Sequence, residues 1–261
     1  MALPDFDVTG KRVLITGAGR GIGRGIALAM AEAGADVAIT SLGEPNALKV
    51  AGEVRALGRA GFGYAADGTS VGAMEAIRDQ VLDDLGGLDV IVNCVGDSIP
   101  GTVAAAPDGQ GRVMTEDDWH RVVDLNLTQA FVGSHVFGPH LLAQGSGCAI
   151  NISSFAATRA GANMSAYAAA KTGLTRFTES LALEWAPYGV RSNGIAPGQF
   201  PDPEQMTEDE WRAREERGAA TIPLKRFGRV REVGLMAIYL ASDAAAYVTG
   251  QTFAIDGGRT L

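Results

Sequence analysis

Tyr167 and Lys171 stand four residues apart in the run SAYAAAK, a spacing that puts a phenol and an ammonium on one face of a helix, one turn from each other. That pairing suits proton transfer. A free phenol titrates near pH ~10, so its use at neutrality requires stabilisation of the anion, which a fixed cation nearby supplies. Upstream, Ser154 can offer a hydroxyl to the same reacting oxygen. Y-x-x-x-K also arises by chance on surface helices, and Ser154 can equally satisfy backbone at a strand end, with Ser153 as a rival for any catalytic role.

A second group of residues suggests anion binding. Gly17, Gly19, Arg20, Gly21, Ile22 and Gly23 lie in the run GAGRGIG. Residues without Cβ let the backbone approach an anion, and a helix starting there adds unpaired N–H groups and a positive dipole end. Glycine turns also serve merely to close a strand onto a helix. Here an apolar run (12–16, RVLIT) precedes the turn, an alanine-rich segment ending at Gly34 follows it, and the whole opens a βαβ series, which points to dinucleotide binding. An NAD site usually carries Asp or Glu about 20 residues beyond the glycines, for the ribose 2′-hydroxyl. This chain has Thr40-Ser41-Leu42-Gly43 there. With no carboxylate at Ser41 to repel a 2′-phosphate, and with Arg20 to neutralise one, NADP(H) is favoured over NAD(H), although Glu44 is close by. Asp67 either accepts from the adenine amino group or caps its own loop.

These side chains need a scaffold. Apolar runs at 12–16, 36–40, 61–66, 88–94, 148–153, 190–196 and 252–255 alternate with helical segments at 47–57, 71–85, 115–142, 165–188 and 231–242. Such alternation predicts an α/β fold: one doubly wound parallel sheet (Rossmann fold) with helices on both faces and right-handed crossovers, spanning residues 1–261 as a single domain. Thr115 and Asp118 have the spacing of a capping box. Two stretches break the rhythm, 96–111 and 197–223. The second predicts a substrate flap at 199–223 with a charged helix at 207–217 around Trp211. Lys225, Arg226, Arg229 and Arg231 form a basic cluster, either simply solvated or able to meet a phosphorylated carrier.

Composition sets the outer bounds. At 261 residues, 46% hydrophobic and 20% charged, the chain can bury a sizeable core. Its 22 Lys and Arg against 30 Asp and Glu leave a net charge of −8, which attracts neither nucleic acid nor an anionic membrane. No hydrophobic leader is visible and no apolar run approaches the ~20 residues of a membrane helix, so a cytoplasmic protein is expected. Cys94 and Cys148 lack ligand spacing, as do His120, His135 and His140, so no disulfide framework and no metal site are expected.

Taken together, T-G-x-x-x-G-x-G at 16–23, Asn93-Cys-Val-Gly96, Asn126, Ser154, Tyr167-x-x-x-Lys171 and Pro197-Gly198 occur in the order and spacing of the short-chain dehydrogenase/reductase family. Each motif is weak alone; their joint order is specific. The chain resembles the short single-domain branch of that family, which includes the 3-oxoacyl-carrier-protein reductases, over essentially its whole length.

The resemblance implies hydride transfer between the nicotinamide and a small carbonyl or secondary alcohol substrate, with a 3-oxoacyl thioester among the candidates. Tyr167 would be the general acid/base and Ser154, thirteen residues earlier, the second donor to the substrate oxygen. Lys171 would bind the nicotinamide ribose and lower the pKa of Tyr167, and Asn126 would hold a water leading from Lys171 to solvent. Alone, Asn126 reads better as the repair of a helix kink. Asn93, Val95, Gly96, Pro197 and Gly198 would join the glycine turn, Ser41, Asp67, Tyr167 and Lys171 around the cofactor, in a homotetramer. NAD(H) use, a non-catalytic dinucleotide-binding regulator, and a lyase or epimerase are the rival expectations. One departure is that Gln199-Phe200-Pro201 follows Pro197-Gly198, where many relatives carry a threonine.

Overall fold

The computed structural model describes residues 3–202, 204 and 206–261; Pro203 and Gln205 of the expected flap lie outside the described residues. Seven strands, β1 (Arg12–Ile15), β2 (Asp36–Ser41), β3 (Gly61–Ala65), β4 (Val90–Asn93), β5 (Gly147–Ile152), β6 (Val190–Pro197) and β7 (Thr252–Ile255), form one sheet in the order β3-β2-β1-β4-β5-β6-β7. Every pairing is parallel, with Val13 beside Val37 on one side and Val90 on the other. The strand order reverses between β1 and β4, and their carboxyl ends open the crevice where such sheets bind ligands.

Alternation along the strands divides the core in two. Val13, Ile15, Val37, Ile39, Val90 and Val92 face α1 (Gly21–Glu32), α2 (Glu44–Ala56) and α8 (Val230–Ala241). Leu14, Ala38 and Ile91 face α3 (Val71–Leu85), α5 (Gln129–Gln144) and α6 (Ser165–Trp185). Successive side chains of a strand point to opposite faces, so a sheet covered on both sides makes each strand apolar throughout. Phe137 and Met74 are fully buried in the second layer, where removal from water is worth roughly 1.5–3 kcal/mol for a side chain of this size. Glycines set the closeness of α1 and α8: a Cβ on Gly234 would lie 2.5 Å from Ala29 Cβ, and one on Gly25 2.6 Å from Val230 Cβ.

Two elements depart from the sequence expectation. Residues 115–142 are not one uninterrupted helix: α4 (Glu116–Val123) and α5 are joined by a π turn, Asp124–Thr128. Asn126 explains the break, because its Nδ2 donates to the Val122 carbonyl at 2.8 Å, an acceptor in the helix's own ladder, and to the Asp97 carbonyl at 2.6 Å. Helix α2 starts earlier than expected, at Glu44, with Pro45 in its first turn, where a missing N–H costs nothing. The expected capping box of Thr115 and Asp118 is present at α4. Among the described residues no helix is long and apolar enough to cross a membrane, and no group of three His, Cys, Asp or Glu side chains could hold a metal ion.

Candidate active site

The glycine turn follows β1 directly. Thr16 Oγ1 accepts the Cys94 N–H at 3.1 Å and so ties the end of β1 to the end of β4. Gly21, the first residue of α1, has φ +56°, a conformation that favours glycine. Gly23 lets the helix close onto the turn, since a Cβ there would lie 2.7 Å from Ala18 Cα. A Cβ on Gly19 would stand 2.6 Å from Ser41 Oγ, so turn and second strand end meet. The turn already holds an oxyanion: the Gly21 N–H donates to Asp202 Oδ2 at 3.0 Å. Donors that hold a carboxylate at a helix N-terminus suit the phosphates of a dinucleotide, and the residues therefore fit that group.

One cavity of about 700 Å³ runs from this turn to the tyrosine. Gly17, Arg20, Ile22, Ser41 and Asp67 line its outer end, Val95 and Gly96 its middle, and Ser154, Tyr167, Lys171, Pro197 and Gly198 its inner end. Val95 packs its Cγ2 where Cβ atoms on Gly17 and Gly68 would stand at 2.9 Å, so both glycines leave room for it. Asp67 caps its own loop, accepting the Thr69 N–H at 2.9 Å, and also lies on the wall. Glu44 does not reach the wall.

Two expected residues sit behind the cavity. Asn93 is fully buried; its Nδ2 donates to Asn151 Oδ1 at 2.9 Å and Ser134 Oγ at 3.3 Å, stitching β4 to β5 and α5. It shapes the site without touching the cleft. Asn126 is also buried, and its Oδ1 has no partner among the described residues. A Cβ on Gly96 would lie 3.0 Å from that oxygen and 3.3 Å from Lys171 Nζ, so glycine lets both polar atoms crowd the backbone there.

The end of β5 and helix α6 bring Ser153, Ser154, Tyr167 and Lys171 together. Lys171 is 3% exposed, and its Nζ donates to the Ile152 carbonyl at 2.8 Å, 5.7 Å from the centre of the Tyr167 ring. The two serines have different partners. Ser153 Oγ donates to the Lys171 carbonyl at 3.2 Å and is occupied in holding α6, whereas the Ser154 hydroxyl bonds the Tyr167 phenol. Burial pushes the phenol up from its ordinary value, Ser154 pulls it back, and the charge of Asp97 pushes it up again. Burial also lowers Lys171 to about 8, with Cys94 opposing. In the free protein the phenol is therefore a protonated acid. Burial pushes the Cys94 thiol up to about 12, which leaves it no nucleophile at neutrality.

A family profile described as enoyl-(acyl carrier protein) reductase matches residues 17–260. A short-chain dehydrogenase/reductase of Aspergillus oryzae is 36% identical, over 98% of this chain and 97% of that protein. The chain belongs to the short-chain dehydrogenase/reductase family. Among the family's members, the 2-dehydro-3-deoxy-D-gluconate 5-dehydrogenase of Pseudoalteromonas atlantica is 36% identical over 98% of both chains. The 3-oxoacyl-[acyl-carrier-protein] reductase of Vibrio harveyi is 34% identical over 98% of this chain and 100% of that one. A gluconate 5-dehydrogenase from Burkholderia cenocepacia, solved in complex with NADP and tartrate, superposes with a TM-score of 0.89 at 33% identity, covering 100% of this chain and 99% of that one. This short-chain dehydrogenase/reductase is an NAD(P)-dependent oxidoreductase of alcohol and carbonyl groups.

Several wall residues were not named individually as site residues from sequence, although Asp97, Phe200 and Arg214 lie in the two stretches that break the strand–helix rhythm. Asp97, Arg121, Leu125, Phe200, Arg214 and Phe227 all line the cleft. They come from irregular segments, from the α4 to π-turn face and, for Arg214, from the helix over residues 208–219. The helix expected at 207–217 is α7 (Glu208–Ala219), capped by Thr207 and anchored by Trp211, edge-on to Phe227 at 5.9 Å. Ahead of α7, Glu204 pairs with Arg24 at 3.2 Å and Lys49 at 3.1 Å. Half of the basic cluster is paired with carboxylates, Arg226 with Glu232 and Arg231 with Glu32, and Lys225 donates to the Ala220 carbonyl.

Proposed function

We propose that this short-chain dehydrogenase/reductase uses NADP(H) to interconvert a ketone and a secondary alcohol, with Tyr167 as general acid/base. The observation that carries the proposal is a single cleft with the oxyanion-holding glycine turn at one end and Ser154, Tyr167 and Lys171 at the other. The nicotinamide, when bound, supplies or receives the hydride. In reduction, Tyr167 Oη gives its proton to the carbonyl oxygen while Ser154 Oγ hydrogen-bonds the same atom, so little charge accumulates there. The phenolate left behind is stabilised by the Lys171 ammonium, which also holds the nicotinamide ribose. Asn126, whose buried carboxamide oxygen and the Lys171 ammonium both crowd Gly96, carries the proton onward through water. Asn93 supports the cofactor indirectly, by fixing the end of β4.

Preference for the 2′-phosphate is supported by Ser41 on the wall, by Arg20 at the same end, and by the position of Glu44 off it. Arg20→Ala should weaken NADP(H) binding about tenfold, the scale of one lost charged hydrogen bond, and NAD(H) binding less than twofold, as measured by nicotinamide fluorescence. Equal losses would contradict NADP(H) preference. Turnover is checked by absorbance of the reduced nicotinamide with a panel of ketones, 3-oxoacyl thioesters and secondary alcohols. Segment 199–223 serves as the flap of a single domain. A homotetramer is supported by apolar side chains left exposed on α5 and α6, Phe131 and Leu183.

A further inference from the structure

The cleft carries more charge on its wall than hydride transfer requires. Asp97 follows Gly96, and its carbonyl is held by Asn126 Nδ2 at 2.6 Å and its carboxylate by the Ser98 N–H at 2.8 Å. It is exposed, lies on the wall with Tyr167, and is close enough for the phenol to feel its charge. Arg121, near the end of α4, and Leu125, in the π turn that follows, line the same cleft. Arg214 enters from α7: Trp211 packs on Phe227, a Cβ on Gly218 would lie 2.5 Å from that ring, and Arg214 falls on the same side of the helix. Arg214 touches Met206 Sδ at 3.8 Å. Neither guanidinium is paired with a carboxylate among the described residues, whereas Arg12, Arg24, Arg59 and Arg226 all are.

These charges discriminate among substrates. An acyl chain laid along the wall would strip water from Asp97 and give it no donor, a costly arrangement for a carboxylate. A hydroxyl on a carbon beside the reacting one would donate to it. A substrate carboxylate cannot occupy the same place, because like charges repel, but it matches the guanidinium forks of Arg121 and Arg214. Granted the oxidoreductase reading above, we propose that the cleft takes a short polyhydroxylated acid, with a hydroxyl on Asp97 next to the carbon that reacts and the carboxylate at Arg121 and Arg214, several carbons away. Asp97, Arg121 and Arg214 are then specificity determinants of the reaction.

The test is calorimetric titration of the NADP⁺ complex with D-gluconate and with its uncharged counterpart sorbitol, alongside turnover of acetoacetyl-coenzyme A with NADPH. Wild-type protein should bind gluconate at least tenfold more tightly than sorbitol. The double variant Arg121→Ala, Arg214→Ala should lose that margin while sorbitol and NADP⁺ affinities stay within twofold, which also reports on folding. Asp97→Ala should weaken both polyols and lower the KM for the thioester. The proposal is overturned if gluconate binds no better than sorbitol, if the arginine variant loses NADP⁺ or sorbitol equally, or if the wild-type enzyme prefers the thioester. Charge-selective binding with no hydride transfer to any substrate would instead remove the oxidoreductase reading, and turnover of neutral ketones without preference for the acid would remove only the charge assignment.

Discussion

At Tyr167 burial and Asp97 push the phenol up, against the hydroxyl of Ser154. A protonated phenol is the form that reduction consumes. Tyr167→Phe should therefore lower kcat by at least about 100-fold, the usual scale of a lost acid/base, and leave NADP(H) affinity within twofold; retention of more than a tenth of the rate would exclude Tyr167 from proton transfer. Lys171 gives a second prediction. Its folded pKa is about 8 against an ordinary 10.5. Below pH ~8 both states hold the proton and the folded chain bears the cost of a buried charge; between roughly 8 and 10.5 the unfolded chain alone stays protonated, so stability rises with pH through that window. Lys171→Met should flatten the rise, as read from thermal midpoints between pH 7 and 10. A rise equal to that of the wild type would assign the effect elsewhere.

The π turn and the segment before α7 act as elements. Asn126 meets one expectation raised from sequence: its Nδ2 repairs the broken helix at Val122 O, while its Oδ1 is buried without a partner among the described residues. The turn exists because one side chain bonds a carbonyl four residues back and another 29 residues away, at Asp97. A local pattern registers only the first of these. Segment 199–223 lays the Asp202 carboxylate on the Gly21 N–H, where a cofactor phosphate competes with it. Asp202→Asn should tighten NADP⁺ binding severalfold in a fluorescence titration, since a neutral amide competes less well for a cationic helix end. Unchanged or weaker binding would show that Asp202 does not hold the phosphate position.

At the scale of the whole molecule, the two-faced sheet leaves α5 and α6 with apolar side chains outward. Phe131, 47% exposed, stacks on His135 at 5.3 Å, and Leu183 on α6 is 80% exposed. If these helices form the contacts of the proposed homotetramer, Phe131→Glu with Leu183→Glu should yield smaller species in sedimentation velocity, with Tyr167 chemistry measured in parallel. An unaltered sedimentation coefficient would place the contacts on another face.

Much of this protein was legible in its sequence because the relevant signals are local. Strand runs, the glycine turn and a tyrosine four residues before a lysine each depend on neighbours within one or two turns of chain, and helix and strand periodicities convert them directly into faces. Tertiary structure alone decided that Ser153 is tied to the Lys171 carbonyl, that Asn93 lies behind the wall, and that Arg226 and Arg231 of the basic cluster are taken up in ion pairs. It also decided that Asp97, Arg121 and Arg214 share one cleft, although they come from three separate segments. Burial, pairing and like-charge separation depend on segments that meet only when the sheet is wound, and no spacing along the chain encodes that meeting.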